Sequence, residues 1–504
     1  MMKLRLQRLA LCSLILGAGG LLLIGTATAL GGQSRAPKSN ATTYLPVIMN
    51  RVAPGQFPNC RFGAAAPSSS GITAFVGLQP YDLGALNLGW YLDWNTNPQP
   101  QQPYGLEYAQ VIRLSQTITP PYYKLDKPAT WADLQALVEA RPHDLYFVGN
   151  EPDSPFQDNM CAPNYAAAYH DVYAFIKGIN PAVQVGIGGI VQPTPLRLQY
   201  LEDIWNTYAI SYGQPLSSDF WNTHAFILNE EQGSWGAGIP PCMTATQGTT
   251  VTVQDLDNMS IFTARILAFR QWMADHGQRD KALYITEYGI LFPEDILYPE
   301  PRVRTFMWNT FNYFLGPQSI SPTLGYARDN NHLVQRWMWF SLAHDPYLMG
   351  GALFDPTVTP PAIRPLGLDW ITGTHGLSPW ITDTQGLTLS LNLLPYTPTM
   401  SISVPPGPPP VTATLQLEIV NNGNYTVTNS FLVTLYDANW MPVTSQTSQW
   451  VPGCGRFNVV TLLWPNLPAG THLGHIRVDP DQRVTETNES DNEADVTVIV
   501  LPTG

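Results

Sequence analysis

Asp144-Leu145-Tyr146-Phe147-Val148-Gly149-Asn150-Glu151-Pro152-Asp153 reads as a buried strand that runs into a polar stop. Leu145 to Val148 are apolar and β-favouring, the pattern of a parallel strand covered on both faces. Asn150 and Glu151 follow at its carboxyl end. Pro152 has no N–H, so the ladder stops there. An amide and a carboxylate are thereby fixed on rigid backbone at one mouth of a sheet. Taken alone, the stretch reads more readily as a loop that begins with an acidic residue. A second stretch changes that balance. Ala282-Leu283-Tyr284-Ile285-Thr286-Glu287-Tyr288-Gly289 has the same form, an apolar strand ending in Glu. Two strand-end carboxylates suggest a pair, and paired carboxylates are what glycosidic bond cleavage uses.

Working outward from these two strands, the pattern from Cys60 onward alternates strand and helix. Strands are predicted at Arg61–Ala65, Leu88–Trp94, Tyr108–Leu114, Leu145–Val148, Val183–Gly188, Phe220–Phe226, Ala282–Gly289 and Arg336–Leu342. Helices are predicted at Asp82–Leu86, after the capping residue Thr130, and over Tyr165–Ile179, Leu196–Tyr208, Ile261–Asp275 and Val303–Leu315. Such alternation implies a parallel sheet, and eight strands imply a closed (β/α)8 TIM barrel with its chemistry at the strands' carboxyl ends. Glu151 then closes strand four and Glu287 strand seven, across the barrel mouth from one another.

After about Thr382 the helical patterns stop. Pro405-Pro406-Gly407-Pro408-Pro409-Pro410 reads as a linker, and short alternating runs with Asn/Gly turns follow, the form of an all-β immunoglobulin-like sandwich. The predicted organisation is therefore a signal peptide (1–29), a tether (30–58), the catalytic barrel (59–382), a linker (383–410) and the sandwich (411–504). A stiff Pro-rich linker implies that a chain ending near Thr382 still folds and cleaves a soluble oligosaccharide.

Composition bounds the class. The chain has 504 residues, 44% of them hydrophobic and 12% charged, enough for a large core and a smaller module. Lys3, Arg5 and Arg8 precede the apolar run Leu9–Ile24, and Ala27-Thr28-Ala29 is an Ala-x-Ala cleavage site, so the protein is expected to be secreted or held at the cell surface. An uncleaved anchor is the alternative, although the run is short and Gly-interrupted for a span. A net charge of −13 makes nucleic acid and anionic lipid poor partners and leaves neutral polysaccharide or oligosaccharide open. Of five cysteines, Cys12 lies in the signal, leaving Cys60, Cys161, Cys242 and Cys454. A disulfide is predicted between Cys161 and Cys242, both in loops after even-numbered strands; Cys60 and Cys454 are left over, from different domains. No Cys/His cluster suggests zinc, and the acidic run from Asp479 to Glu493 lacks the ligand spacing of an EF-hand. No metal and no cofactor are expected.

Asn150-Glu151-Pro152 and Thr286-Glu287-Tyr288 resemble the retaining glycoside hydrolases of clan A, which carry Asn-Glu on strand four and Glu on strand seven. Gly149–Asp153, Trp90-Tyr91-Leu92-Asp93-Trp94 and Ile285–Gly289 look most like family 128, a group of β-1,3-glucan-cleaving enzymes. That family's strand-two Tyr-Asn-Trp stands here as Leu92-Asp93-Trp94. The resemblance covers roughly Phe62 to Leu342. It implies Glu151 as general acid/base and Glu287 as nucleophile of a double displacement, with the carboxyl groups about 5–5.5 Å apart. Endo action is the first reading, and exo action or transglycosylation on the same site is the alternative. It also implies Asn150 at the sugar 2-hydroxyl, the alternative being a turn amide. His224 at the end of strand six is a substrate- or nucleophile-contacting ring or a satisfied core histidine. Arg113 either holds Glu287 ionised or serves a structural ion pair. Trp339 and Trp94 are candidate sugar platforms or plain core. Asn421-Asn422-Gly423-Asn424 and the stretch from Val478 to Glu489 resemble the CARDB type of immunoglobulin-like module, which implies an accessory role in adhesion or display. The rival from another class is a non-catalytic carbohydrate-binding or cell-surface adhesion protein that keeps the barrel; such a binder has no need for both glutamates.

Overall fold

The computed structural model describes residues 59–69, 77–293, 297–345 and 349–502. The expected signal and tether, 1–58, lie outside them. No helix among the described residues is long and apolar enough to cross a membrane. The chain divides into two units: Phe62–Tyr313 with Arg336–Thr382, and Asn59–Arg61 with Phe314–Gln335 and Asp383–Gly504.

In the first unit eight parallel strands close into a barrel: β1 (Phe62–Ala64), β2 (Trp90–Tyr91), β3 (Glu107–Gln116), β4 (Leu145–Val148), β5 (Gln184–Ile187), β6 (Phe220–His224), β7 (Ala282–Tyr288) and β8 (Arg336–Trp339). Every strand pairs with its sequence neighbours. β8 returns to β1 through Phe62↔Trp337 and Ala64↔Trp339, and β2 joins β3 through Trp90↔Glu107. β4 is buried along its whole length, as its apolar run requires, and lies between β3 (Ala109↔Leu145) and β5 (Leu145↔Gln184).

Among the described residues six helices accompany the barrel: α1 (Trp131–Ala140), α2 (Ala162–Ile179), α3 (Pro195–Tyr212), α4 (Met259–Asp275), α5 (Glu300–Leu315) and α6 (Pro365–Thr374). Thr130 caps α1 as its sequence implies, its hydroxyl accepting from Asp133 N at 3.1 Å. The helix expected over Asp82–Leu86 is absent: that stretch forms turns with Leu83, Ala85 and Leu86 buried. Five residues with Gly84 among them are too few to offset helix nucleation. Among the described residues only a 3-10 turn, Pro103–Gly105, stands between β2 and β3. Among the described residues the barrel therefore has full strand closure and no α-helix between β2 and β3.

The second unit holds two antiparallel sheets. One is β9 (Leu393–Ser403), β10 (Val411–Asn421) and β13 (Arg456–Leu467), in the order β9-β10-β13. The other is β11 (Phe431–Asp437), β12 (Pro442–Ser448), β14 (Gly470–Val478) and β15 (Glu493–Val500), in the order β12-β11-β14-β15. Leu415 and Val460 from the first sheet share one core with Val433 and Val498 from the second. Inward apolar residues alternate with outward polar ones along β15, the period of a half-buried strand.

Two expectations about this region are corrected. The stretch 383–410 is not a linker, because it contains β9, and the Pro-rich run joins β9 to β10. Pro395 and Pro398 are tolerated there because β9 is an edge strand and its register slips between Tyr396 and Ser401. Cys60 and Cys454 are not left over. They are bonded, with Cα atoms 6.3 Å apart, because Asn59–Arg61 belongs to the second unit: Cys60 N donates to Asn424 O at 2.8 Å. The same unit ties Arg61 to Asp329 at 2.8 Å and Arg328 to Glu418 at 2.6 Å. A cut near Thr382 would keep the first unit, which ends there, and would strip Cys60 and Arg328 of their partners Cys454 and Glu418.

Candidate active site

The carboxyl end of β4 does not continue as extended chain. Gly149 has φ 94 and Glu151 has φ 43, a left-handed conformation that a glutamate seldom adopts. Neighbours hold it there. Gly149 N donates to Ile112 O at 2.7 Å and Glu151 N to Gly189 O at 3.0 Å. Buried Asp158 accepts from Asn150 N at 2.8 Å and Leu114 N at 3.2 Å through one oxygen, and from Arg113 Nε at 2.6 Å through the other. Sequence reasoning missed Asp158, which lies in the loop after β4, and its signal there is no different from any loop acid.

β6 and β7 deliver the rest. Their register shifts between Thr223 and His224, so that His224 stands opposite Glu287, and a bulge of this kind re-aims side chains. Gly189 makes room for the ring: a Cβ there would come within 2.6 Å of His224 Cδ2. His224 Nδ1 lies 2.9 Å from Glu151 Oε1, and its Nε2 lies 3.4 Å from Glu287 Oε1. Trp94 Nε1 donates to Glu287 Oε1 at 2.6 Å. One oxygen from each glutamate and one His224 nitrogen all lie within 4.8 Å of one another. Glu151 Oε2 and His224 Nε2 are buried without a protein hydrogen-bond partner.

Two carboxylates this close and this dry cannot both ionise freely. Burial, reinforced by the charge of Glu151 and opposed by His224 and the Trp94 N–H, pushes Glu287 up from 4.5 to about 7. Burial disfavours charge on His224, but Glu287 and Glu151 outweigh it and raise the ring above the usual histidine value. The site therefore retains a proton on a carboxyl into the neutral range, with an imidazole between the two acids. The trio also comes within reach of a shared metal ion. However, a metal requires its ligand atoms to converge on one point about 2.0–2.2 Å away, whereas here opposite edges of the imidazole face the two carboxylates. That geometry suits proton sharing.

The structure brings Glu151, Glu287, His224 and Trp94 together. Asn150 is buried beside them, its backbone held by Asp158. Arg113 makes the structural ion pair with Asp158 and contacts Gln157; without touching Glu287, its charge still favours that residue's ionised form. Trp339 is not a platform. It is 0% exposed, packs edge-on against Tyr288 and tilted against Phe306 of α5, and donates to Gly351 O at 2.6 Å. The reason is strand parity: neighbouring side chains point to opposite faces. Phe340, one residue on, turns inward instead, with its ring 5.7 Å from Trp94 and 5.9 Å from Phe226. Alternation along Arg336–Phe340 carried that signal. Cys161 and Cys242 are bonded as expected, with Cα atoms 5.4 Å apart, joining the loops after β4 and β6.

No protein-family model matches the chain, and no curated protein does. Solved structures do. A GH128 (subgroup I) endo-β-1,3-glucanase from Amycolatopsis mediterranei, in complex with laminaritriose, is 16% identical, covering 62% of this chain and 99% of that one, with a TM-score of 0.39. A GH128 (subgroup III) curdlan-specific exo-β-1,3-glucanase from Blastomyces gilchristii is 16% identical over 64% of this chain and 100% of that one, with a TM-score of 0.39. A CARDB domain from Pyrococcus furiosus, solved with di-metal ions, is 23% identical over 23% of this chain and 96% of that one, with a TM-score of 0.19. At these identities and scores they add nothing about activity, which the side chains must support alone.

Proposed function

We propose that this protein is a retaining glycoside hydrolase that cleaves β-glycosidic bonds of a polysaccharide, β-1,3-glucan first among candidates. One observation carries the reading: oxygens of Glu151 and Glu287, from the ends of β4 and β7, lie within 4.8 Å of one another beside His224. Retaining enzymes hold their carboxyl groups about 5–5.5 Å apart, while inverting ones need about 6.5–9.5 Å to admit water. In the first step Glu287 attacks the anomeric carbon and Glu151 gives its proton to the departing glycosidic oxygen. In the second, Glu151 takes a proton from water, whose oxygen displaces Glu287 from the sugar. The Trp94 N–H and a charged His224 both favour the ionised form of Glu287 that this attack requires. Asn150 is assigned to the sugar 2-hydroxyl, and Phe340 with Trp94 to the wall of the sugar site.

The same reading takes 1–29 as an export signal, the substrate as an extracellular polymer attacked within the chain, and the C-terminal sheets as an immunoglobulin-like accessory module for attachment to polymer or cell surface. Proton NMR of early hydrolysis on a panel of β-glucans, xylans, mannans and galactans tests it. The expected first product is the β-anomer, from a β-1,3-glucan, released as mixed oligosaccharides. An α-anomer first would mean inversion, single sugars alone would mean exo action, and no cleavage across the panel would leave the non-catalytic binder.

A further inference from the structure

The sandwich carries a tryptophan where its backbone has least use for one. Between β11 and β12, Trp440 sits at φ 59. Glycine and asparagine favour that conformation; a bulky side chain there is a true outlier, and such strain persists only where the surroundings enforce it. Here the turn enforces it. Asp437 Oδ1 accepts from Asn439 N at 2.8 Å and Met441 N at 2.9 Å, and Trp440 N donates to Asp437 O at 3.0 Å.

What the strain secures is orientation. The indole lies flat over the His475 imidazole, with centroids 4.2 Å apart and planes 2° apart. His475 is fixed in turn by Asp495 at 2.7 Å. Arg477, two residues along β14, stands 5.4 Å from the indole centroid and is bonded to Glu493 at 2.7 Å. His475 covers one indole face and the Tyr436 ring stands tilted with its centroid 5.6 Å away, yet Trp440 remains 43% exposed and Met441 beside it 62%. Asp495, 91% exposed at its side chain, holds its carboxylate at Nδ1 of the stacked His475.

A flat aromatic face with ionic hydrogen-bonding groups near its rim matches a pyranose ring, which offers C–H groups on its face and hydroxyls at its edge. A quaternary ammonium would instead call for several aromatic walls. We propose that the open face of Trp440 is a binding platform for one sugar ring of a neutral polysaccharide, with Asp495, Arg477 and Glu493 reaching its hydroxyls. The identity of that polymer rests on the glycosidase reading above; the platform itself does not.

The test uses the full chain carrying Glu287→Gln, so that polymer is not consumed, and measures depletion isotherms on insoluble curdlan, cellulose and chitin. Trp440→Asn suits the left-handed backbone, so its melting temperature should equal or exceed the parent's while polymer retention falls on the order of fivefold or more, the scale of one aromatic contact. Trp440→Phe should keep most of the retention. The platform is overturned if the parent binds none of the three polymers. It is also overturned if Trp440→Asn melts earlier but binds as well as the parent, which would make the indole a turn staple. Hydrolysis separates the two readings. If wild-type protein cleaves β-1,3-glucan but the substitution leaves binding intact, only the platform fails. If no glycan is cleaved but binding depends on Trp440, only the barrel reading fails.

Discussion

Glu151 and Asp153 are two residues apart and end in opposite kinds of buried charge. Asp153 joins Arg197 and Glu230 in a cluster with fully buried side chains, where every charge is met. Arg197 donates to the Asp153 carboxylate and to its backbone oxygen at 2.9 Å, to Glu230 at 2.8 Å, and to the carbonyls of Ala237 and Gly238 at 2.8 and 3.0 Å. Glu230 also accepts from the Thr194 hydroxyl at 2.6 Å and Thr249 N at 2.8 Å. Glu151 instead faces a second acid, leaves one oxygen unpartnered and sits on strained backbone. Satisfied buried charge stabilises loops. Unsatisfied like charge is tolerated where something else is to be bound. Neither cluster is distinguished by burial alone; the difference lies in the count of partners.

That contrast is open to direct attack. The largest effect should come from Glu151→Gln and Glu287→Gln, each lowering kcat/KM on a laminari-oligosaccharide by about 10³-fold or more while the fold holds. Arg197→Met should do the reverse. Leaving Asp153 and Glu230 buried and unpaired, it should cost about 3–5 kcal/mol in denaturant unfolding. An Arg197→Met protein as stable as the parent would erase the distinction.

Asp158→Ala comes next. Without its acceptor for Asn150 N the loop bearing Glu151 loses register, and kcat should fall about 10²-fold. The drop should appear in kcat with KM little changed, because Asp158 holds the backbone of Asn150, next to the acid, and not the sugar. A change in KM alone would assign Asp158 elsewhere.

The smallest effects are read on the pH axis. With Glu287 raised to about 7, the nucleophile reaches its ionised form only near neutrality, and kcat/KM should rise as pH climbs toward about 7. Trp94→Phe removes a hydrogen bond that favours the carboxylate, so this limb should move upward, with a rate loss of about tenfold. Stability follows with a definite sign. Between 4.5 and about 7 the folded Glu287 holds a proton that the unfolded one has lost, so its contribution weakens stability as pH rises across that window. Glu287→Gln should remove that slope and melt higher than the parent above pH 7. Parallel melting curves at every pH would contradict it.

Much of this was legible in the sequence. Leu145–Val148 and Ala282–Tyr288 declare themselves because a strand covered on both faces cannot alternate, and a polar residue at its end has nowhere to point but the mouth. What escaped depended on contacts between distant residues. The partner of Arg113 is a loop aspartate 45 residues on. Trp339 is plain core and Phe340 the inward ring because strand parity, not aromatic character, decides which side chain at the end of β8 turns inward. The stretch 383–410 reads as a linker although it holds β9, because an edge strand's freedom from a second partner is a property of the sheet, not of the segment. Cys60 joins Cys454 across 394 positions, a pairing that no local pattern encodes.

The central claim is that Glu287 forms a covalent bond to sugar while Glu151 handles the proton. A fluorinated β-glucosyl-type inactivator, which slows release of a glycosyl-enzyme, followed by peptide mass spectrometry, tests it most directly. The account predicts one sugar adduct on the peptide bearing Glu287, absent in Glu287→Gln and still formed in Glu151→Gln when the leaving group needs no protonation. An adduct on Glu151, or continued turnover with no adduct on either residue, would contradict it.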